Sequence, residues 1–232
     1  IATVRNSRGG SVPSVLEAVR ACVHAGAPGI TVHPRADARH VTAADVRGIA
    51  AYLAPMKGRV EFNIEGDPRP DLLALVHAVK PDQCTLVPVH PGEITSQAGW
   101  SPATPGDAIR RVVSDLRADG VRVSLFIDPG DAPIRWAADM GADRVELYTE
   151  PFARAFDLGE PRAQESFAAY TRAAELAHAL HLGVNAGHDL DLQNLVLFRR
   201  LPHLDEVSIG HALVSAAVFG GLATSVREYL DV

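Results

Sequence analysis

The chain has 232 residues, of which 47% are hydrophobic and 22% charged, and its formal charge is −6. This is ordinary globular composition, and the acidic balance without a basic block argues against a nucleic-acid partner. No apolar run approaches the roughly 18 residues of a membrane span, and the two distant cysteines, Cys22 and Cys84, have no metal-site spacing and suit a reducing cytoplasm.

From residue 29 onward, short β-branched runs alternate with helical patterns. Strands are predicted at Gly29–His33, Arg59–Glu65, Gln83–Pro88, Val121–Asp128, Asp143–Thr149, Leu182–Ala186 and Glu206–Gly210. Helices are predicted at 12–25, 43–54, 69–79, 106–118, 132–140, 162–181, 190–200 and 212–230. Gly26, Gly120 and Gly141 stand just past helices and just before strands, and Pro13, Pro105 and Pro133 stand where helices begin. Strands that alternate with helices imply parallel pairing through helical crossovers. Without a linker or a composition shift, residues 1–232 read as one (β/α)8 barrel domain. Seven strands against eight helices leave one strand short, so most of the first strand is expected upstream of Ile1. A doubly wound open sheet is the alternative, but no G-x-G-x-x-G follows a strand.

A barrel interior is expected to be apolar except near the C-terminal mouth, where active sites sit. Polar residues cluster late in the predicted strands: Thr31-Val32-His33, Asn63-Ile64-Glu65, Glu146-Leu147-Tyr148, Asn185-Ala186-Gly187-His188 and Ser208-Ile209-Gly210-His211. Each has a bland account. His33 suits a strand-end carbonyl contact, Glu65 a salt bridge to a neighbouring loop, and Asn63 and Asn185 the satisfaction of backbone groups. Together they describe a polar pocket able to do acid–base work, with metal binding as the alternative. His24, His77, His178, His181 and His203 fall on helices or the opposite loops and read as surface or packing residues.

Lys57 and Lys80 are the only lysines against 20 arginines, and both precede strands. They lie at the end of the barrel away from its chemistry, so no lysine is placed for a Schiff base. Arg5 and Arg8 flank Asn6-Ser7, while Arg35, Arg39 and His40 follow the Gly29–His33 strand. Arginine forks match phosphate oxygens. Gly210-His211 opens the last predicted helix, and the Gly187–Asp189 turn supplies a second wall for an anion.

Ile1-Ala2-Thr3-Val4-Arg5-Asn6-Ser7-Arg8-Gly9, Gly29-Ile30-Thr31-Val32-His33-Pro34-Arg35, Lys80-Pro81-Asp82-Gln83, Val123-Ser124-Leu125-Phe126-Ile127-Asp128, Val184-Asn185-Ala186-Gly187-His188 and Ile209-Gly210-His211-Ala212 resemble the pyridoxine 5′-phosphate synthase family. The resemblance runs in order along the whole chain. It implies a (β/α)8 barrel, a homo-octamer, no cofactor, and condensation of 3-amino-2-oxopropyl phosphate with 1-deoxy-D-xylulose 5-phosphate. By motif position it implies that His33 and Glu65 are proton acceptors, His188 a proton donor and Glu146 a stabiliser of the transition state. It likewise implies that Arg8, Arg35, His40 and Thr95 contact the deoxyxylulose phosphate, and Asp189, Gly210 and His211 the amino-ketone phosphate. Such a condensation forms its imine between the substrates, in keeping with the scarce lysines. The segment from His90 to Gly106 is the longest loop and the lid candidate. A metal-dependent sugar-phosphate aldolase or isomerase, and a non-catalytic phospho-ligand barrel, are the alternatives.

The chain departs from the family pattern in places. Pro34-Arg35-Ala36-Asp37 replaces a common Leu-Arg-Glu-Asp, and Val87-Pro88-Val89-His90-Pro91 replaces Val-Pro-Glu-Lys-Arg. Tyr148 and Glu150 stand for the histidine and glycine of His-Thr-Gly, Asp189 stands for a usual glycine, and an Asn-x-Asp-His segment would precede Ile1.

Overall fold

The computed structural model describes residues 1–89 and 96–232. Among these, seven strands pair in parallel in chain order: β1 (Gly29–Val32), β2 (Glu61–Gly66), β3 (Gln83–Leu86), β4 (Arg122–Ile127), β5 (Arg144–Tyr148), β6 (Gly183–Gly187) and β7 (Leu204–Ser208). Helices α1 (Ala2–Asn6) and α2 (Val15–His24) precede β1. The crossovers carry α3 (Ala43–Leu53), α4 (Pro70–Val79), α5 (Gly106–Ala118), α6 (Asp131–Asp139), the pair α7 (Glu150–Asp157) and α8 (Glu160–Ala179), and α9 (Leu195–Phe198). Helices α10 (His211–Gly220) and α11 (Leu222–Leu230) follow β7. Side chains meet across the sheet: Asn185 of β6 donates to Gln83 of β3 at 3.4 Å, and Arg122 of β4 reaches Glu61 of β2 at 2.5 Å and Glu206 of β7 at 3.4 Å. These contacts require the sheet to curl into a nearly closed (β/α) barrel, and all seven predicted strands take part.

Local chemistry sets the elements. Thr42 and Asp45 form a reciprocal capping box at the start of α3, and Pro70 opens α4 where a missing N–H costs nothing. An aspartate just before or early in one strand also binds the strand before it. Asp82 accepts from Phe62 N–H at 2.9 Å, Asp143 from Val123 N–H at 2.9 Å and Asp205 from Val184 N–H at 3.0 Å.

Several boundaries differ from expectation. The predicted 212–230 helix divides at Gly221, whose φ of 84° belongs to the left-handed region that glycine adopts without strain. The predicted 190–200 helix shrinks to α9, because the Asp191 carboxylate binds the N–H groups of Gln193 and Asn194 in a turn. Helix α7 was not predicted. Its Phe152 is buried against Phe198, at 5.0 Å between ring centroids, and edge-on to Tyr170 at 6.0 Å. Residues 2–6, adjoining the expected first strand, are helical.

The apolar core lies between the outer face of the sheet and the helices. Ile64, Leu86, Leu125, Ile127, Val145 and Leu147 are buried there with Ile49, Val76, Leu116, Ile134 and Phe198. The inner face corrects the expectation of an apolar interior, because its lower layer is charged. Arg144 donates to Asn185 at 2.9 Å and to Glu206, Asn185 donates to Glu206 at 3.0 Å, and Arg122 donates to Gln83 at 2.9 Å. Two arginines thus face two glutamates, and reciprocal pairing offsets the desolvation that either sign alone would suffer. Asn63 and Asn185 bond to side chains in this interior rather than to backbone groups.

Candidate active site

The mouth begins with the loops after β1 and β2. Arg69 ties them together, donating to the Pro34 carbonyl at 2.5 Å and pairing with Asp67 at 2.5 Å and Asp71 at 2.9 Å. This arginine was missed by sequence reasoning, since only the fold brings Pro34 beside it. His33 Nε2 is buried with no hydrogen-bond partner among the described residues. Burial, reinforced by the neighbouring His40 and Arg35, pushes the His33 imidazole down to about 4. Its ring meets that of His40 edge-on at 6.0 Å, and His40 is lowered likewise by burial and by Arg35 and Arg39. Both rings are therefore neutral at pH 7. The Arg35 side chain is only 7% exposed and lies 4.0 Å from Asp37.

Helix α1 braces this loop. Asn6 Nδ2 donates to the carbonyls of Ala38, Arg39 and His40 at 2.9–3.0 Å. Arg5 grips Asp45 in a bidentate pair at 2.6 and 2.9 Å, so its fork is engaged in holding α3 rather than open to an anion. Arg8, in contrast, is exposed after α1.

Two carboxyls occupy the centre. Glu65 stands late in β2, with Asn63 Nδ2 3.5 Å from its Oε1 and 3.4 Å from Thr31 Oγ1, while Thr85 donates to Asn63 Oδ1 at 3.2 Å. Desolvation pushes the Glu65 carboxyl up to about 7. Glu146 on β5 is buried and held well above the ordinary carboxylate range by burial, by Glu65 and by Glu206, with Thr85 partly opposing. Its Oε2 finds no partner among the described residues. Gly187 makes the space it occupies: a Cβ there would lie 2.4 Å from Glu146 Oε1. Two raised carboxyls in one interior, one of them raised in part by the other, suit proton transfer.

His188 follows β6, where its ring meets Tyr148 edge-on at 5.1 Å and its Nδ1 lies 2.7 Å from Asp189 Oδ2. Tyr148, Phe126 and Val87 form a small buried apolar cluster apart from the main core. Tyr170 of α8 donates to the Tyr148 carbonyl at 2.6 Å, so the unpredicted α7 and its partner α8 help to place this wall. Gly210 is the N-cap of the ten-residue α10 and His211 its first residue, both exposed. β7 pairs with β6 through Gly187 and Ser208, which sets the α10 N-terminus beside the His188 strand. Thr95 and the residues from His90 to Thr95 of the lid candidate lie outside the described residues. The five histidines read as surface or packing residues stand apart; His77 pairs with Asp119 at 2.6 Å, and His178 stacks on His203 at 3.7 Å.

Parallel strands with helical crossovers, together with carboxyls, imidazoles and arginines gathered at the strand ends, define a (β/α)-barrel enzyme. Solved structures share the fold at low identity. The YdjI aldolase from Escherichia coli K12 matches with a TM-score of 0.62 and 10% identity, over 92% of this chain and 80% of that one. Phosphoribosyl anthranilate isomerase from Thermotoga maritima matches with a TM-score of 0.58 and 13% identity, over 93% and 92%. The particular family is plain from the sequence: the pattern of the family described as Pyridoxal phosphate biosynthesis protein PdxJ matches residues 1–232, and the chain belongs to it. Among its relatives is a pyridoxine 5′-phosphate synthase of Leptospira biflexa serovar Patoc, 48% identical over all of this chain and 93% of that protein. Another, of Christiangramia forsetii, is 48% identical over 99% of this chain and 94% of that protein, and one of Porphyromonas gingivalis is 47% identical over 100% and 94%.

Proposed function

We propose that the chain is a pyridoxine 5′-phosphate synthase, condensing 3-amino-2-oxopropyl phosphate with 1-deoxy-D-xylulose 5-phosphate to give pyridoxine 5′-phosphate, phosphate and water. The observation that carries this reading is the pair Glu65 and Glu146, raised carboxyls inside the mouth of a barrel whose family is known. The amine of one substrate attacks the ketone of the other, so the imine forms between substrates and needs no enzyme lysine. Dehydration, phosphate loss and ring closure then require repeated proton transfers. Glu65 and neutral His33 serve as acceptors, His188 as donor, and Glu146 as the group that stabilises developing charge.

Two phosphorylated substrates need two anion sites. Arg35 and His40, with Arg8 and Thr95, suit the deoxyxylulose phosphate. The backbone at Asp189, Gly210 and His211 suits the amino-ketone phosphate, since N–H groups at the start of α10 favour an anion. A homo-octamer in the cytoplasm accompanies this reading, and no described helix is long and apolar enough to cross a membrane.

Incubation with both substrates should yield pyridoxine 5′-phosphate, followed by its absorbance, and a chelator should leave the rate unchanged. A folded protein that forms no product, or one that the chelator silences, overturns the proposal. Gly187→Ala should lower kcat by about 10- to 100-fold, because displacing a catalytic group by about 1 Å has that effect. The methyl would push on Glu146 Oε1, and steady-state kinetics alongside a melting curve separate this from unfolding.

A further inference from the structure

The turn after β6 carries a carboxylate at a position where an approaching phosphate would be repelled, and the structure shows what that carboxylate does instead. His188 and Asp189 both have positive φ, 87° and 61°. Two consecutive left-handed residues are costly outside glycine, and persist only where their surroundings hold them. Here the Thr149 hydroxyl donates to the Gly187 carbonyl at 2.7 Å and also contacts the His188 carbonyl. The buried Asn194 donates to the Asp189 carbonyl at 3.1 Å, and its own side-chain oxygen accepts from Asp191 N–H at 3.0 Å. The turn so held brings Asp189 Oδ2 to 2.7 Å from His188 Nδ1, while the edge-on Tyr148 ring limits the imidazole from another side.

We infer that Asp189 is a positioning residue for His188: its carboxylate accepts from Nδ1–H, fixes the imidazole tautomer and orientation, and leaves Nε2 as the nitrogen that exchanges a proton with substrate. The inference rests on the proposed role of His188 and adds a function for the Asp189 side chain beyond any phosphate contact by its backbone. The chemistry is that of a carboxylate that orients a working histidine, made from adjacent residues of one turn. Tyr148 and Asp189 belong to one arrangement: the ring confines the imidazole and the carboxylate orients it.

The test uses Asp189→Gly and Asp189→Asn, with nitrogen-15 NMR of the His188 ring and steady-state kinetics. In the wild-type protein the neutral ring should carry its proton on Nδ1, and in Asp189→Gly the proton should move to Nε2. Both variants should lose about tenfold in kcat, with KM for either substrate within about twofold, the pattern of a group that acts on the reacting complex rather than on binding. Asp189→Gly should melt no lower than the wild-type protein, because glycine suits φ 61°, so the kinetic loss cannot be assigned to unfolding. A wild-type ring protonated on Nε2, or variants with unchanged kcat, overturn the inference. The tautomer is read on the protein without substrate, so it decides the pairing even if the wild-type chain forms no product, an outcome that overturns the proposed function instead.

Discussion

Glu65→Gln lowers kcat by about a thousandfold while KM for each substrate stays within about threefold, because a positioned proton acceptor contributes roughly 10²–10⁴ to rate. Glutamine keeps the shape and the acceptor facing Asn63 but cannot take a proton. The same residue sets a pH dependence. With its carboxyl pushed up to about 7, Glu65 is largely protonated below that value, and the rate of a reaction that uses it as a base rises as pH passes upward through about 7. The sign for stability is opposite. A carboxyl whose folded value exceeds its unfolded one favours the native state below the unfolded value, and that contribution is lost as pH rises through about 7. Glu65→Gln should therefore flatten the decline in stability between about pH 4.5 and 7.5 by about 2 kcal/mol, a figure reduced for partial exposure of the side chain. Denaturant titrations of the two proteins at several pH values check this; parallel curves would show that Glu65 ionises as an ordinary surface carboxyl.

The largest loss of stability is expected from Gly99→Ala. A Cβ at residue 99 would lie 2.2 Å from Ile127 Cα, 2.5 Å from its carbonyl carbon and 2.6 Å from Asp128 N, all backbone atoms that no rotamer change can move aside. Gly99 N–H donates to Asp128 at 3.3 Å, Trp100 N–H to the Phe126 carbonyl at 2.8 Å and the Trp100 indole to the Leu86 carbonyl at 2.8 Å. The segment is thus pinned to the ends of β3 and β4, and a methyl group must separate it from them. The cost is about 3–5 kcal/mol, the range of severe overpacking combined with lost hydrogen bonds. A fall in the denaturation midpoint together with lost activity is the expected result; a midpoint within the error of wild type would show that the loop yields freely. Gly48→Ala, at a helical glycine with open space around its Cβ, is the control.

Much of the barrel was legible in the sequence because two periodicities and a few stop residues dictate it. The seven strands and their parallel order follow from β-branched runs separated by helical patterns, and alternation of side chains puts Glu65 on the face of Asn63 and Glu146 on the face of Tyr148, with His33 just past the end of β1. Both lysines precede strands, as read; Lys80 sits at the end of α4 and pairs with Asp119 at 3.1 Å. Contacts that depend on distant partners were not legible. Arg5 read as an anion ligand because nothing local shows that Asp45, forty residues away, holds it. The charged inner layer was hidden for the same reason, since Arg122 and Glu206 are 84 residues apart and alternation says which face a residue takes, not what lies across the barrel. Helix α7 was missed because its stability comes from Phe152 against Tyr170 and Phe198, not from its own short pattern.

The sequence by itself determined the class of fold and the family, and it nominated the side chains proposed for proton transfer, because these depend on residue types at spacings that local periodicity and motif reveal. Only the tertiary structure decided how those side chains behave. Burial raises Glu65 and Glu146 and lowers His33, Gly187 opens room for Glu146, and a strained turn brings Asp189 onto His188. The physical reason is that protonation and orientation answer to solvent exclusion and to neighbours on other strands, and neither is a property of the chain until the barrel has formed.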